Sequence, residues 1–213
     1  MKKTLLILSA IVLFFAGCKK DTLFEEGELL YSGSINGYKY IDLGLPSGLK
    51  WATCNVGAIS PEDYGDYYAW GETETKSEYT SVNCSTYGVQ MNDISGNSRY
   101  DVARKKWGGS WRMPTRTEIE ELIENCNWTW TAQEGKKGHN VTGPNGNSIF
   151  LPAAGCRRYG SSPGLAGKDG YYWSSTPIES NSYRAYYLDF DIADQSVGWY
   201  DRSYGRSVRP VSE

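Results

Sequence analysis

The segment Gly198-Trp199-Tyr200-Asp201-Arg202-Ser203-Tyr204-Gly205 sets aromatic rings, a carboxylate and a guanidinium side by side in one short stretch. Rigid rings supply contact area at little entropic cost, and short polar side chains supply adaptable hydrogen bonds, so these residue types suit recognition. Strand alternation upstream turns Tyr187 and Asp189 outward, and Glu179, Asn181 and Tyr183 fall in the connection before them. A core cannot readily absorb so many rings among polar neighbours, and clustered exposed aromatics mark interaction surfaces. Aromatic faces also suit the C–H faces of sugar rings. The candidate ligand-binding set is therefore Tyr183, Tyr187, Asp189, Trp199, Tyr200, Asp201, Arg202 and Tyr204.

Catalytic chemistry finds little footing. His139 is the only histidine and lies in a Gly-His-Asn loop. Nucleophilic catalysis needs a base beside a defined nucleophile, and nothing in the chain nominates either. Carboxylates are plentiful, but the separation that a paired-carboxylate glycosidase requires is not a property of sequence. Asp189, Asp191 and Asp194 lack the spacing and glycine of an EF-hand loop, and alternation puts Asp189 and Asp191 on the solvent face. No enzyme activity, cofactor or metal is expected.

Few segments carry a helical pattern. Tyr100 to Trp107 is one, stopped by Gly108-Gly109. The second opens on Thr115 and Glu118, a Thr-x-x-Glu capping box, and continues with Ile119, Leu122 and Ile123 at helical spacing as core contacts. Strands are predicted over 38–43, 49–56 and 66–70, and Gly-Pro-Asn-Gly (143–146) predicts a hairpin between Val141 and Ile149. From Arg184 to Ile192 the alternation places Tyr186, Leu188, Phe190 and Ile192 on one face, and Ala185, Tyr187, Asp189 and Asp191 on the other. Residues 198–205 read as a tyrosine-rich connection and 207–211 as a closing strand. The expected class is α+β, with two helices beside small antiparallel sheets and long loops. Trp107, Trp111 and Trp173 read as buried, and Arg112 and Arg209 as internal donors to loop carbonyls.

The ends set the context. Lys2 and Lys3, an apolar run from Leu5 to Phe15 and Ala16-Gly17-Cys18 form a secretory signal over 1–17. The apolar run is too short to span a bilayer as a mature helix. Cys18 matches a bacterial lipobox, although leucine is more usual at the place of Phe15, so Cys18 is the expected lipidation site and the membrane a partner through that anchor. Residues 18–36 read as the lipidated cysteine and a charged tether, and 37–213 as one domain. Loss of Lys2 and Lys3 takes the net charge from −3 to −5, a poor balance for nucleic acid. Cys54, Cys84, Cys126 and Cys156 permit two disulfides in three pairings, and free thiols are the alternative. No Cys-x-x-Cys is present, which disfavours zinc or dithiol chemistry.

Five ordered phrases carry a resemblance. They occupy residues 40–57, 66–72, 107–115 and 147–155, and the Trp-Ser-Ser-Thr (173–176) to Ser-Val-Arg-Pro-Val (207–211) ending. Residues 37–213 resemble the Fibrobacter succinogenes major paralogous domain of exported lipoproteins. The C-terminal half is similar to the variable proteins of diversity-generating retroelements and, more distantly, to the terminal domain of collagen-like bacterial adhesins. The resemblance implies a C-type-lectin-like fold that binds ligand through its C-terminal segment. Calcium-dependent sugar binding is not implied, because Glu-Pro-Asn, Gln-Pro-Asp and Trp-Asn-Asp are all absent. The cysteine-bearing phrases of the formylglycine-generating oxidases, which share the broad fold, are absent too.

The expectation is an outer-membrane lipoprotein, at the cell surface or alternatively facing the periplasm. It would act as an adhesin or capture module for a glycan or protein ligand. The alternative is a structural or assembly component of the envelope that docks a partner subunit.

Overall fold

Two helices form where the sequence supplies both ends. Helix α1 (Val102–Trp107) is capped by Asp101, whose carboxylate accepts from the Arg104 N–H, and it stops at Gly108. Helix α2 (Arg116–Asn125) begins with the expected box: Thr115 accepts from the Glu118 N–H while Glu118 accepts from the Thr115 N–H. Ile119 and Leu122 are buried, and Ile123 packs beside them. The computed structural model describes residues 31–158 and 163–213. The signal segment, Cys18 and most of the tether lie outside the described residues.

The strands are β1 (Gly33–Ile35), β2 (Tyr38–Asp42), β3 (Lys50–Ala52), β4 (Asn127–Gln133), β5 (Lys136–Thr142), β6 (Ser148–Pro152), β7 (Gly170–Pro177), β8 (Arg184–Phe190), β9 (Gln195–Asp201) and β10 (Val211–Ser212). They make three antiparallel sheets, ordered β1-β2-β3-β10, β4-β5-β6 and β7-β8-β9. β10 closes the first sheet by pairing Val211 with Trp51. The Gly-Pro-Asn-Gly hairpin is present, with Thr142 opposite Ser148 and the Gly143 N–H donating to Asn147 O at 2.8 Å. The class is mixed α+β, mostly sheet.

Several boundaries differ from the sequence reading. β1 falls inside the stretch read as tether, so ordered pairing begins before Gly37. The strand expected over 49–56 keeps only Lys50–Ala52, and 66–70 contributes one bridge, Tyr68 to Arg206. Those segments are extended, but their hydrogen bonds go to scattered loop partners, such as Trp70 N–H to Arg202 O at 2.9 Å, and not to a continuous ladder. β4, missed in the sequence, alternates half-buried and exposed positions as an edge strand. The first half of the supposed connection at 198–205 belongs to β9, and the closing strand is shorter than 207–211 and shifted to Val211–Ser212.

The core consists of packed clusters on either side of the third sheet. One joins Leu188 and Phe190 to α2 and the second sheet through Ile119, Leu122, Val141 and Leu151. The other joins Ala185 and Tyr187 to Trp70, Trp107, Trp111 and Trp173. β8 is therefore covered on both faces, and Tyr187 is only 7% exposed. The expected outward face of β8 is thus corrected: central strands with both faces covered bury both sets of alternating residues. Each large side chain so buried contributes on the order of 2–3 kcal/mol.

Arg209 stitches the clusters together. It is buried and donates to Asn55 Oδ1 at 2.8 Å, Ala52 O at 3.0 Å, Phe150 O at 2.9 Å and also Thr53 O. This is the internal role expected for it. Arg112 differs, since its main partners are carboxylates: Glu118 at 2.6 Å and Glu213 at 3.2 Å. Cys54, Cys84, Cys126 and Cys156 are all free.

Candidate functional site

Two turns at the same end of the third sheet carry the site. The β7–β8 turn is held by Ile178 N–H to Arg184 O at 3.1 Å and by Tyr183 N–H to Asn181 Oδ1 at 3.0 Å. The turn after β9 is held by Asp201, whose Oδ1 accepts from the Ser203 N–H at 2.9 Å and from the Ser203 hydroxyl at 2.7 Å. Asn and Asp favour such turns because their side chains bond backbone groups two residues on. A third wall comes from residues 79–88, which include a single 3-10 turn, Ser81–Asn83. A fourth comes from Arg158, on a loop whose start is fixed at Gly155 (φ 63°). A Cβ at Gly155 would collide with the Gly164 carbonyl, so only glycine lets the loop fold back this tightly.

These segments enclose a cavity of about 400 Å³. Its rings are Tyr79, Tyr87, Tyr183, Tyr200 and Tyr204. Tyr87 and Tyr183 meet edge to face at 4.9 Å between centroids, and Tyr200 and Tyr204 do the same at 4.9 Å. Thr80, Ser81, Asn181 and Ser203 supply neutral polar groups, Asp201 and Arg158 supply charge, and Arg184 also lines the wall. None of the described lining residues is aliphatic. Burial, then its hydrogen bond to Tyr200, pushes the Tyr204 hydroxyl up to about 12. Tyr87 is raised by burial and by the Asp201 carboxylate. Both hydroxyls therefore remain protonated donors at neutral pH.

Arg202 holds the walls in place. Expected as a ligand contact, it is 1% exposed, and its Nε and Nη1 donate internally: Nε to Arg184 O at 3.1 Å, Nη1 to Thr86 O at 3.2 Å and to Val89 O at 2.8 Å. Its backbone N–H reaches Tyr183 O at 2.9 Å, and its guanidinium lies 4.2 Å from the Trp70 ring centroid. Burial pulls its pKa down to about 10, still charged at neutral pH. One side chain thus ties together the 84–89, 183–184 and 201–204 segments.

Of the residues singled out in the sequence, Tyr183, Asn181, Tyr200, Asp201 and Tyr204 come together around this cavity. Tyr187, Asp189 and Arg202 do not. Tyr187 is buried in the core, and Asp189 is half-buried, 3.5 Å from the Tyr187 hydroxyl. Burial raises the Asp189 pKa, with Arg206 opposing the rise. Trp199 is 50% exposed but opposite Tyr186, whereas Tyr200 is opposite Ala185, so the two neighbours face opposite sides of β9. Trp199 instead lies under the Arg184 guanidinium, 4.4 Å from ring centroid to carbon. Glu179 is exposed beside a separate hollow with Asp93 and Thr176.

Sequence reasoning missed Tyr79, Tyr87, Arg158 and Arg184. Tyr87 stands among Ser, Thr, Asn and Gly, a setting that could have marked it; Arg158 has no comparable signal. Behind the Tyr200–Tyr204 pair lies Arg206, 3% exposed and within 6.0 Å of the Tyr171, Trp173, Tyr187, Tyr200 and Tyr204 rings. His139 is buried away from the cavity, its Nε2 paired with Asp191 O at 2.7 Å and its ring against Trp128, Trp130 and Phe190. Among the described residues, no group of His, Cys, Asp and Glu is arranged to hold a metal ion, and no helix is long and apolar enough to cross a membrane.

Fold and cavity together define a mixed α+β domain whose loops build a polar, tyrosine-walled recess at one end of a sheet. Residues 45–212 match the Lcl C-terminal domain, and the chain belongs to that family. No curated protein and no solved structure matches it.

Proposed function

We propose that this protein is a lipid-anchored binding module of the cell envelope, held through Cys18 at the outer membrane and capturing a glycan or protein ligand at the cell surface. Its finer kinship is with the Fibrobacter succinogenes major paralogous domain and the retroelement variable proteins, and its fold is C-type-lectin-like. The observation that carries the reading is the convergence of Tyr183, Tyr200, Asp201 and Tyr204, from two separate turns, on one preformed cavity. A rigid concave recess with a few convergent polar groups is the ordinary form of a ligand site.

The test is capture of an immobilised mucin glycoprotein, with and without its glycans, by cells displaying the full-length chain. Tyr183→Ala and Tyr200→Ala remove exposed rings and should weaken capture about tenfold each, or about 1.4 kcal/mol. Equal capture by wild type and both variants overturns the site.

A second reading draws on the other side of β9. There Trp199 and Tyr186 lie beneath the guanidiniums of Arg184 and Arg116, at 4.4 Å each. That ladder of rings and cations would suit a partner subunit of the envelope. A stoichiometric partner that co-purifies with wild type but not with Trp199→Ala would favour it.

A further inference from the structure

We infer that the cavity takes the terminal unit of a saccharide, one or two pyranose rings, held by tyrosine faces and hydroxyl hydrogen bonding with no metal ion in between. This rests on the proposed reading of the cavity as the ligand site, and it chooses between that reading's two ligand classes.

Size is the first argument. A recess of about 400 Å³ stands near the lower end of the roughly 300–1,000 Å³ typical of small-molecule sites. A protein partner needs about 800 Å² of its own surface buried, far more than such a recess presents. Protein partners also anchor on apolar or aromatic plugs seated in desolvated pockets. Here the described wall has no aliphatic side chain to receive one.

Chemistry is the second. Every sugar hydroxyl both donates and accepts, so a site that binds it needs the two kinds of partner intermixed. The wall provides this with tyrosine, serine and threonine hydroxyls, which donate and accept, the Asn181 amide, which does both, and the Asp201 carboxylate as acceptor. Two edge-to-face tyrosine pairs, Tyr87–Tyr183 and Tyr200–Tyr204, line the cavity, and flat ring area of this kind suits the C–H side of a pyranose. Tyrosine gives this area for two side-chain torsions only.

Rigidity is the third. Weak polyol ligands cannot spare energy to order loops. Arg202 has already ordered them by bonding to carbonyls at Thr86, Val89 and Arg184. A bridging cation has little to hold it: Asp201 is the only carboxylate among the described lining residues, and its Oδ1 is engaged by Ser203.

The experiment titrates the full-length protein in detergent micelles with methyl glycosides of hexoses, 6-deoxyhexoses and N-acetylhexosamines and their disaccharides, followed by saturation-transfer NMR. At least one should bind saturably with Kd on the order of 1 mM, with transfer to its ring C–H protons and no change on adding EDTA. Tyr183→Ala and Tyr200→Ala should each weaken it by about tenfold at unchanged thermal midpoint, while Ile192→Ala, at the opposite end of the sheet, should not. Absence of saturable binding across the panel overturns the inference, as does binding that survives both tyrosine substitutions. If glycoprotein capture is lost in those variants yet free glycosides neither bind nor compete, the saccharide inference falls and the binding-module reading stands. If glycosides bind at the cavity and capture ignores the variants, the binding-module reading falls.

Discussion

Arg202, Arg206 and Arg209 lie within one short run, and all three are buried. The guanidiniums of Arg202 and Arg209 do the work that continuous strand pairing does elsewhere, satisfying carbonyls that the irregular segments leave open, while that of Arg206 packs among aromatic rings. Arg209→Lys keeps the charge but cannot reproduce four fixed donations, so it should cost about 3 kcal/mol, read as a lowered urea midpoint. Arg202→Lys should weaken glycoprotein capture although the side chain never touches the cavity, because the walls lose their common tie. His139 predicts a pH effect. Burial, only partly offset by its bond to Asp191 O, lowers its folded pKa below the ordinary 6.5. The unfolded chain then binds the extra proton first, so stability is full above about pH 6.5 and declines as pH falls toward the folded value. In urea melts across that interval, His139→Phe should flatten the slope.

At the scale of elements, α2 depends on Thr115 and Glu118. Thr115→Ala should cost about 1 kcal/mol in thermal or urea denaturation. Burial alone would raise the Glu118 pKa, but the Arg112 guanidinium and the Thr115 backbone outweigh it and take the value below 4.5. That contribution is present above the ordinary carboxylate range and is lost as pH falls through the depressed value. The helix was legible because both halves of its cap lie within four residues, and so was the 143–146 hairpin. β9 was not. Its alternation is half-exposed and interrupted by Gly198, so residues 198–205 look like a loop until Asp191 turns the chain back and β8 supplies a partner.

For the whole molecule, the free state of the four described cysteines predicts a thermal midpoint that reductant leaves unchanged, since no cross-link restrains the unfolded chain. A drop on adding reductant would contradict it. The surface location proposed for the domain predicts that protease added to intact cells removes it; protection until the outer membrane is opened would place it in the periplasm. The sequence by itself determined the local matters: the helix caps, the Gly-Pro-Asn-Gly turn, the buried role of Trp107, Trp111 and Trp173, and the crowding of tyrosine near the C-terminus. Tertiary structure decided which of the crowded residues face the cavity. Asp201 lines it and Arg202 vanishes beneath it; Tyr200 looks in and Trp199 looks away. The reason is that alternation divides a strand into two faces but does not say what lies against either. Here separate core clusters cover both faces of β8, and the walls at Tyr79, Tyr87 and Arg158 arrive from segments far away in the chain.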